Sequence, residues 1–154
     1  MLSEHFVVDE FRCGSGEPVP HELLPNLRRL VVEVLEPIRQ RWGAIIVVSG
    51  YRSPAYNEAL FRASEARAKA AGRAHGGVAQ RSQHLTASAA DIRPVRWSDV
   101  ELLGDVVDNL LAKGELRALG GFGRYGSWIH CDVRPRVNGQ VVRWLGSGVG
   151  SEPG

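Results

Sequence analysis

The 154-residue chain reads as an α+β domain, a small antiparallel sheet with helices packed on one side. Three observations lead there. From Leu23 to Trp42 the apolar residues recur at helical spacing. Ala44 to Ser49 then form a β-branched run short enough for a buried strand. The last third breaks into short apolar stretches separated by Gly126 and by Asn138-Gly139, a hairpin signal. Helices come early and strands late, which favours α+β over alternating βαβ units.

In chain order, residues 1–20 mix Phe6, Val7, Val8 and Phe11 with Gly14, Gly16, Pro18 and Pro20 and predict an ordered but irregular arm. The first helix carries apolar residues at 23, 27, 30, 31, 34, 35, 38 and 42, with a kink or split at Pro37 and a stop at Gly43. After the first strand, Ser53-Pro54 supplies an N-cap and a proline at the first helical position, opening an Ala-rich helix to about Ala71. Residues 72–80 read as a flexible Gly-rich loop. Ala89 to Arg93 predict a second strand ended by Pro94. Ser98 and Glu101 form a capping-box pattern before a helix with Leu102, Leu103, Val106, Val107, Leu110 and Leu111 on its apolar side. A β meander over 119–125, 127–134 and 141–144 follows, and residues 145–154 read as a flexible tail.

The composition bounds the function. A hydrophobic share of 44% supports one compact domain over 1–154, and a net charge of +2 is too small to imply a nucleic-acid partner. No apolar run approaches the roughly 20 residues of a membrane helix. The N-terminus lacks a basic segment followed by an apolar one, so no signal peptide is expected. Two cysteines, Cys13 and Cys131, are too few for a disulfide scaffold or a four-thiolate zinc site.

The chemistry therefore rests on a few polar residues. Of five histidines, His5, His21 and His75 fall in an arm, at a helix start and in a loop, and read as surface residues. His84 has Asp91 seven residues on, an acid within the small and apolar run 87–92 that is costly to bury without a cation or donor. His130 lies in Trp128-Ile129-His130-Cys131-Asp132; on a strand Trp128, His130 and Asp132 share one face while Ile129 and Cys131 face the core. Two imidazoles and a carboxylate are a known catalytic zinc set. Spacing alone leaves the alternative of a satisfied histidine and an Asp–Arg pair.

The motif Ser82-x-His84-x-x-Ala87-x-Ala89-x-Asp91 resembles the Ser-x-His-x-x-Gly-x-Ala-x-Asp signature of the zinc D-alanyl-D-alanine carboxypeptidase and murein endopeptidase family, whose fold extends to VanX-type dipeptidases and the hedgehog domain. Phe11-x-Cys13-x-Ser15-Gly16, Ser49-Gly50-Tyr51-Arg52-Ser53-Pro54, and Trp128 to Arg134 with Arg143-Trp144 resemble its smaller murein-peptidase branch in the same order. The resemblance implies that His84, Asp91 and His130 bind Zn2+. It also implies that Arg52, at the mouth of a strand-to-helix turn, holds a substrate carboxylate or stabilises the oxyanion. Ser82 and Gln83 either donate to the substrate backbone or cap the turn before His84. Tyr51, Tyr125 and Trp128 are candidates for the cleft lining.

Two positions depart from the family pattern. The signature glycine is Ala87, a mild change unless that position needs positive φ. The acid that several relatives carry three residues before the last zinc histidine is Ser127 here. Asp132 is then either the general base or the residue that orients an imidazole. The expected function is a monomeric zinc metallopeptidase that hydrolyses murein stem peptides or cross-links containing D-residues. The alternative is a catalytically silent zinc-stabilised module that binds cell wall or protein. Delivery to the wall is expected through phage lysis, a phage tail or a secretion system.

Overall fold

Among residues 1–146, which the computed structural model describes, five short strands build one sheet. They are β1 (Ile45–Ser49), β2 (Ala89–Pro94), β3 (Gly121–Arg124), β4 (Ile129–Asp132) and β5 (Val142–Leu145), in the order β1-β2-β4-β3-β5. The first three pairings of that order are antiparallel, but β5 runs parallel to β3. The expected meander is therefore a β3–β4 hairpin followed by a crossover. Asn138 and Gly139 do turn with positive φ and close a local bridge between Val137 and Gln140, and the chain then continues to the outer edge of β3. Leu145 ends β5 rather than opening a tail; the remainder of that expected tail, 147–154, lies outside the described residues.

One face of the sheet is apolar. Ala90, Ile92, Phe122, Ile129 and Cys131 pack there against the first helical layer and α4 (Val100–Ala112). Each fully buried Leu, Ile or Phe on this face contributes about 1.5–3 kcal/mol relative to exposure. The first layer runs continuously through α1 (Leu24–Leu30), a π-helical segment Val31–Leu35 and α2 (Glu36–Trp42). Pro37 thus widens the helix rather than splitting it. Proline has no N–H for the carbonyl four residues back and its ring crowds that carbonyl, so a wider turn just before it relieves the clash. Gly43 stops the helix at φ 110°. The arm belongs to the core, since Leu2, Phe6, Phe11, Cys13 and Val19 are all buried. Cys13 and Cys131 are both free thiols.

The helix α3 (Pro54–Ala70) begins as the sequence predicts, with Ser53 Oγ accepting the Tyr56 N–H at 3.2 Å. It buries a different kind of face: Asn57, Ser64 and Ala68 rather than an apolar stripe. Asn57 Nδ2 donates to the carbonyls of Ala79 and Gln80, and Ser64 Oγ accepts from the Gly77 N–H at 2.6 Å. The loop read as flexible is fastened along α3 by these bonds. At α4 the Ser98–Glu101 box is not used; a short 3-10 turn over Trp97–Asp99 leads in, and Asp99 occupies the cap without a side-chain bond.

Candidate metal centre

The opposite face of the sheet is polar, and strand pairing sets it out. Ser49 on β1 pairs with Asp91 on β2, Asp91 with His130 on β4, His130 with Gly123 on β3, and Gly123 with Trp144 on β5. Directly paired residues project to the same face, so one row across the sheet presents Asp91, His130 and Trp144 together. Gly123 makes room for the row, because a Cβ there would collide with the Trp144 indole. Gly121 does the same for the Asp132 carboxylate.

His84 reaches this row from a single 3-10 turn, Gln83–Thr86, capped by Ser82 Oγ accepting the His84 N–H at 3.2 Å. The turn ends at Ala87, whose φ of 54° is left-handed. The family glycine there is thus a conformational requirement, and Ala87 occupies the position under strain of about 1–2 kcal/mol.

His84, Asp91 and His130 are all buried, and one ligand-type atom from each lies within 4.8 Å of the others. His84 Nδ1 donates to the Gly50 carbonyl at 2.6 Å, which fixes the tautomer and leaves Nε2 with its lone pair toward Asp91 Oδ2 at 3.2 Å. His84 Nε2 and Asp91 Oδ2 make no hydrogen bond within the described structure. Two buried, inward-facing acceptors beside a third ring fit a divalent zinc ion better than they fit each other.

Electrostatics agree with this arrangement. Burial pushes the His84 pKa down and keeps the ring neutral against the pull of Asp91. Burial would raise the Asp91 carboxyl, but the His84 and His130 rings outweigh it and hold it at about 2. His130 is raised: burial disfavours its charge, but hydrogen bonds to Asp132 and Asp91 prevail. Its Nδ1 lies 2.9 Å from Asp91 Oδ1 and its Nε2 lies 2.8 Å from Asp132 Oδ2.

The other expected site residues fall into two groups. Ser82 and Gln83 line a cleft of about 260 Å³ over His130, with Arg81, Tyr125, Arg134 and Trp144. Arg52 is not at its mouth. It is 1% exposed, with NH2 3.5 Å from Asp91 Oδ2, Nε donating to Ser49 Oγ and NH1 to Asn57 Oδ1. The turn after β1 directs it under the site. Tyr51 packs in the core beside the arm, its N–H donating to the Phe11 carbonyl. Trp128 is buried and stacks on Tyr125 at 4.7 Å between centroids, so it backs the wall that Tyr125 presents. From the sequence, Arg73 and Arg81, with Arg93 and Arg96, read as a solvated basic face or a contact for an anionic wall surface, and the structure places Arg81 in the cleft lining. The period-2 extension of Trp128, His130 and Asp132 points to Arg134.

The family model described as Peptidase M15 matches residues 60–132, the stretch that holds His84, Asp91 and His130, and bears out the resemblance read from the motifs. Among curated proteins nothing matches. Two solved structures are similar. One is a zinc-bound mutant of the vancomycin resistance D,D-pentapeptidase VanY from a VanB-type cassette, with 23% identity, 69% of this chain covered and a TM-score of 0.39. The other is VanYB in complex with D-alanine-D-alanine, with 19% identity, 86% of this chain covered and a TM-score of 0.39. The match spans 61% of the first of those chains and 81% of the second.

Proposed function

We propose that this chain, which matches the peptidase M15 family over residues 60–132, is a zinc-dependent peptidase acting on D-amino-acid amide bonds of peptidoglycan stem peptides. The observation that carries the proposal is the buried His84–Asp91–His130 cluster, in which His84 Nε2 and Asp91 Oδ2 make no hydrogen bond and His130 reaches the lining of an open cleft. When bound there, zinc would supply Lewis acidity for amide hydrolysis.

The chain's own residues prepare that chemistry. Gly50 holds His84 by Nδ1 so that Nε2 is the ligand atom, and Asp132 holds His130 by Nε2 so that Nδ1 faces Asp91. Arg134 fixes Asp132 through contacts from its backbone N–H, Nε and NH2. Arg52 sits beneath Asp91 as a counter-charge. Trp144 leans on the His130 ring at 5.1 Å between centroids and lines the cleft beside it. Recognition of a substrate carboxylate passes from Arg52 to the exposed guanidinium of Arg81 in the cleft wall, since Arg134 is held by Asp132.

Digestion of purified murein tests the proposal. Zinc-loaded protein is expected to release peptides, and His84→Ala to release none. Absence of release at every pH and metal level, with the metal bound, would leave a zinc-stabilised binding domain and overturn the enzyme reading. The peptides released also identify the bond that is cut.

A further inference from the structure

The cleft over His130 continues beyond Tyr125 and Trp144. On their far side lies a second hollow of about 450 Å³, bordered by Arg73, His75 and Leu145 and sharing Gly77, Tyr125 and Trp144 with the first. The shared wall is rigid: Trp144 Nε1 donates to the Tyr125 hydroxyl at 2.8 Å, and Tyr125 stacks on Trp128. The Tyr125 O–H hydrogen is then left to donate elsewhere.

The other wall is the loop from Arg73 to Ser82, a built element rather than a loose one. The Arg73 N–H donates to the Ala68 carbonyl, the Gly76 N–H to Glu65 Oε1 at 2.6 Å and the Gly77 N–H to the buried Ser64 hydroxyl. Asn57, also buried, holds Ala79 and Gln80. A Cβ at Gly76 would strike Ser64, so the loop lies as close to α3 as backbone can.

The charge of this groove has one sign. Arg73 lines the second hollow and Arg81 and Arg134 the first, and among the described residues no acidic side chain lines either. Arg134 is committed to Asp132, whereas Arg73 and Arg81 are exposed. Glu65, the acid of α3 beside the loop, turns to the Gly76 backbone.

We propose that the groove formed by the two adjoining hollows is a subsite for the acidic portion of a peptide that runs past the metal centre, with Arg81 in the first hollow and Arg73 in the second recognising its carboxylates. It rests on the peptidase reading above and specifies that substrate further. The peptide extends beyond the scissile amide on the Arg73 side, as in cleavage within a stem or cross-link, and is not merely a terminal residue being trimmed. Exposed guanidinium–carboxylate pairs are individually weak, so two together give a preference of about fivefold.

The test compares a fluorescein-labelled stem tetrapeptide with the same peptide amidated at its carboxylates. Anisotropy is read on the full chain, metal-free and zinc-loaded. Wild type is expected to bind the free acid about fivefold tighter, and Arg73→Ala/Arg81→Ala to bind both peptides alike while keeping its zinc and its circular dichroism. An Arg28→Ala/Arg41→Ala control removes equal charge from the exposed outer helices and keeps the preference. A preference that survives in Arg73→Ala/Arg81→Ala, or is missing from wild type, overturns the subsite. Hydrolysis by the same zinc-loaded samples separates the two claims. Acid-selective binding without hydrolysis sinks the peptidase reading alone, and hydrolysis without selectivity sinks the subsite alone.

Discussion

Asp132 Oδ2 stands 2.8 Å from His130 Nε2, two residues along the same strand. The relationship makes Asp132 the partner of the ring rather than a free carboxylate in the cleft. Both its oxygens are also occupied by Arg134, and its carboxyl, which burial alone would raise, is held at about 2 by His130 and Arg134. Such a group is a poor proton acceptor near neutrality. Asp132→Asn should therefore weaken zinc binding about tenfold or more, as loss of a ligand-orienting carboxylate does. Competition with a chelator measures this. A kcat loss of about a thousandfold at unchanged zinc affinity would instead make Asp132 the base.

Arg52 gives a second test, because its position differs from a substrate clamp. The guanidinium is buried beside Asp91, and removing one partner of a buried charge pair costs about 3–5 kcal/mol. Arg52→Ala is expected to lower stability of the metal-free chain by about that amount in urea unfolding. A stable variant with only a raised KM would return Arg52 to the role of carboxylate clamp.

How much of this was legible follows from the range of each signal. Trp128, His130 and Asp132 could be placed on one face because strand periodicity is local and alternates with Ile129 and Cys131, whereas the alignment of Asp91 with His130 comes from strand pairing. The cap at Ser53 and the stop at Gly43 are likewise local chemistry. The hidden parts depend on distant partners. Whether Arg52 and Tyr51 leave the β1 turn toward the cleft or beneath it depends on Asp91 and Phe11. The parallel placement of β5 beside β3 comes after a hairpin-like Asn138-Gly139 turn that suggests an ordinary meander. The anchoring of the Gly-rich loop comes from Asn57 and Ser64, polar residues that a helical periodicity reading leaves on the solvent side.

Ala87 predicts a gain in stability. At φ 54° a glycine carries no Cβ penalty, so Ala87→Gly should stabilise the fold by about 1 kcal/mol, read as a rise in urea midpoint. An unchanged or lower midpoint would mean that the buried methyl contributes more packing than the left-handed turn costs.

The arm predicts an acid limb. Glu36 Oε1 accepts the His5 N–H at 2.8 Å and Oε2 meets His5 Nδ1 at 2.9 Å. Burial pushes this carboxyl up, but the hydrogen bonds it accepts outweigh that and lower its pKa below 4.5. A depressed folded pKa stabilises above the unfolded value, and the contribution is lost as pH falls through the folded one. Stability should thus drop below about pH 4.5, and Glu36→Gln should lose about 1–3 kcal/mol at neutral pH while flattening that part of the acid limb. Parallel acid limbs in the two proteins would exclude the arm contact as its source.

Titrating zinc into metal-free protein, while following bound metal and peptides released from murein together, tests the metal centre most directly. Both signals should rise in parallel and saturate at about one equivalent per chain, as a single three-ligand site requires, and Asp91→Ala should show neither. Hydrolysis at full rate without zinc, or a saturated site in wild type with no peptide released, would contradict a zinc peptidase built on His84, Asp91 and His130.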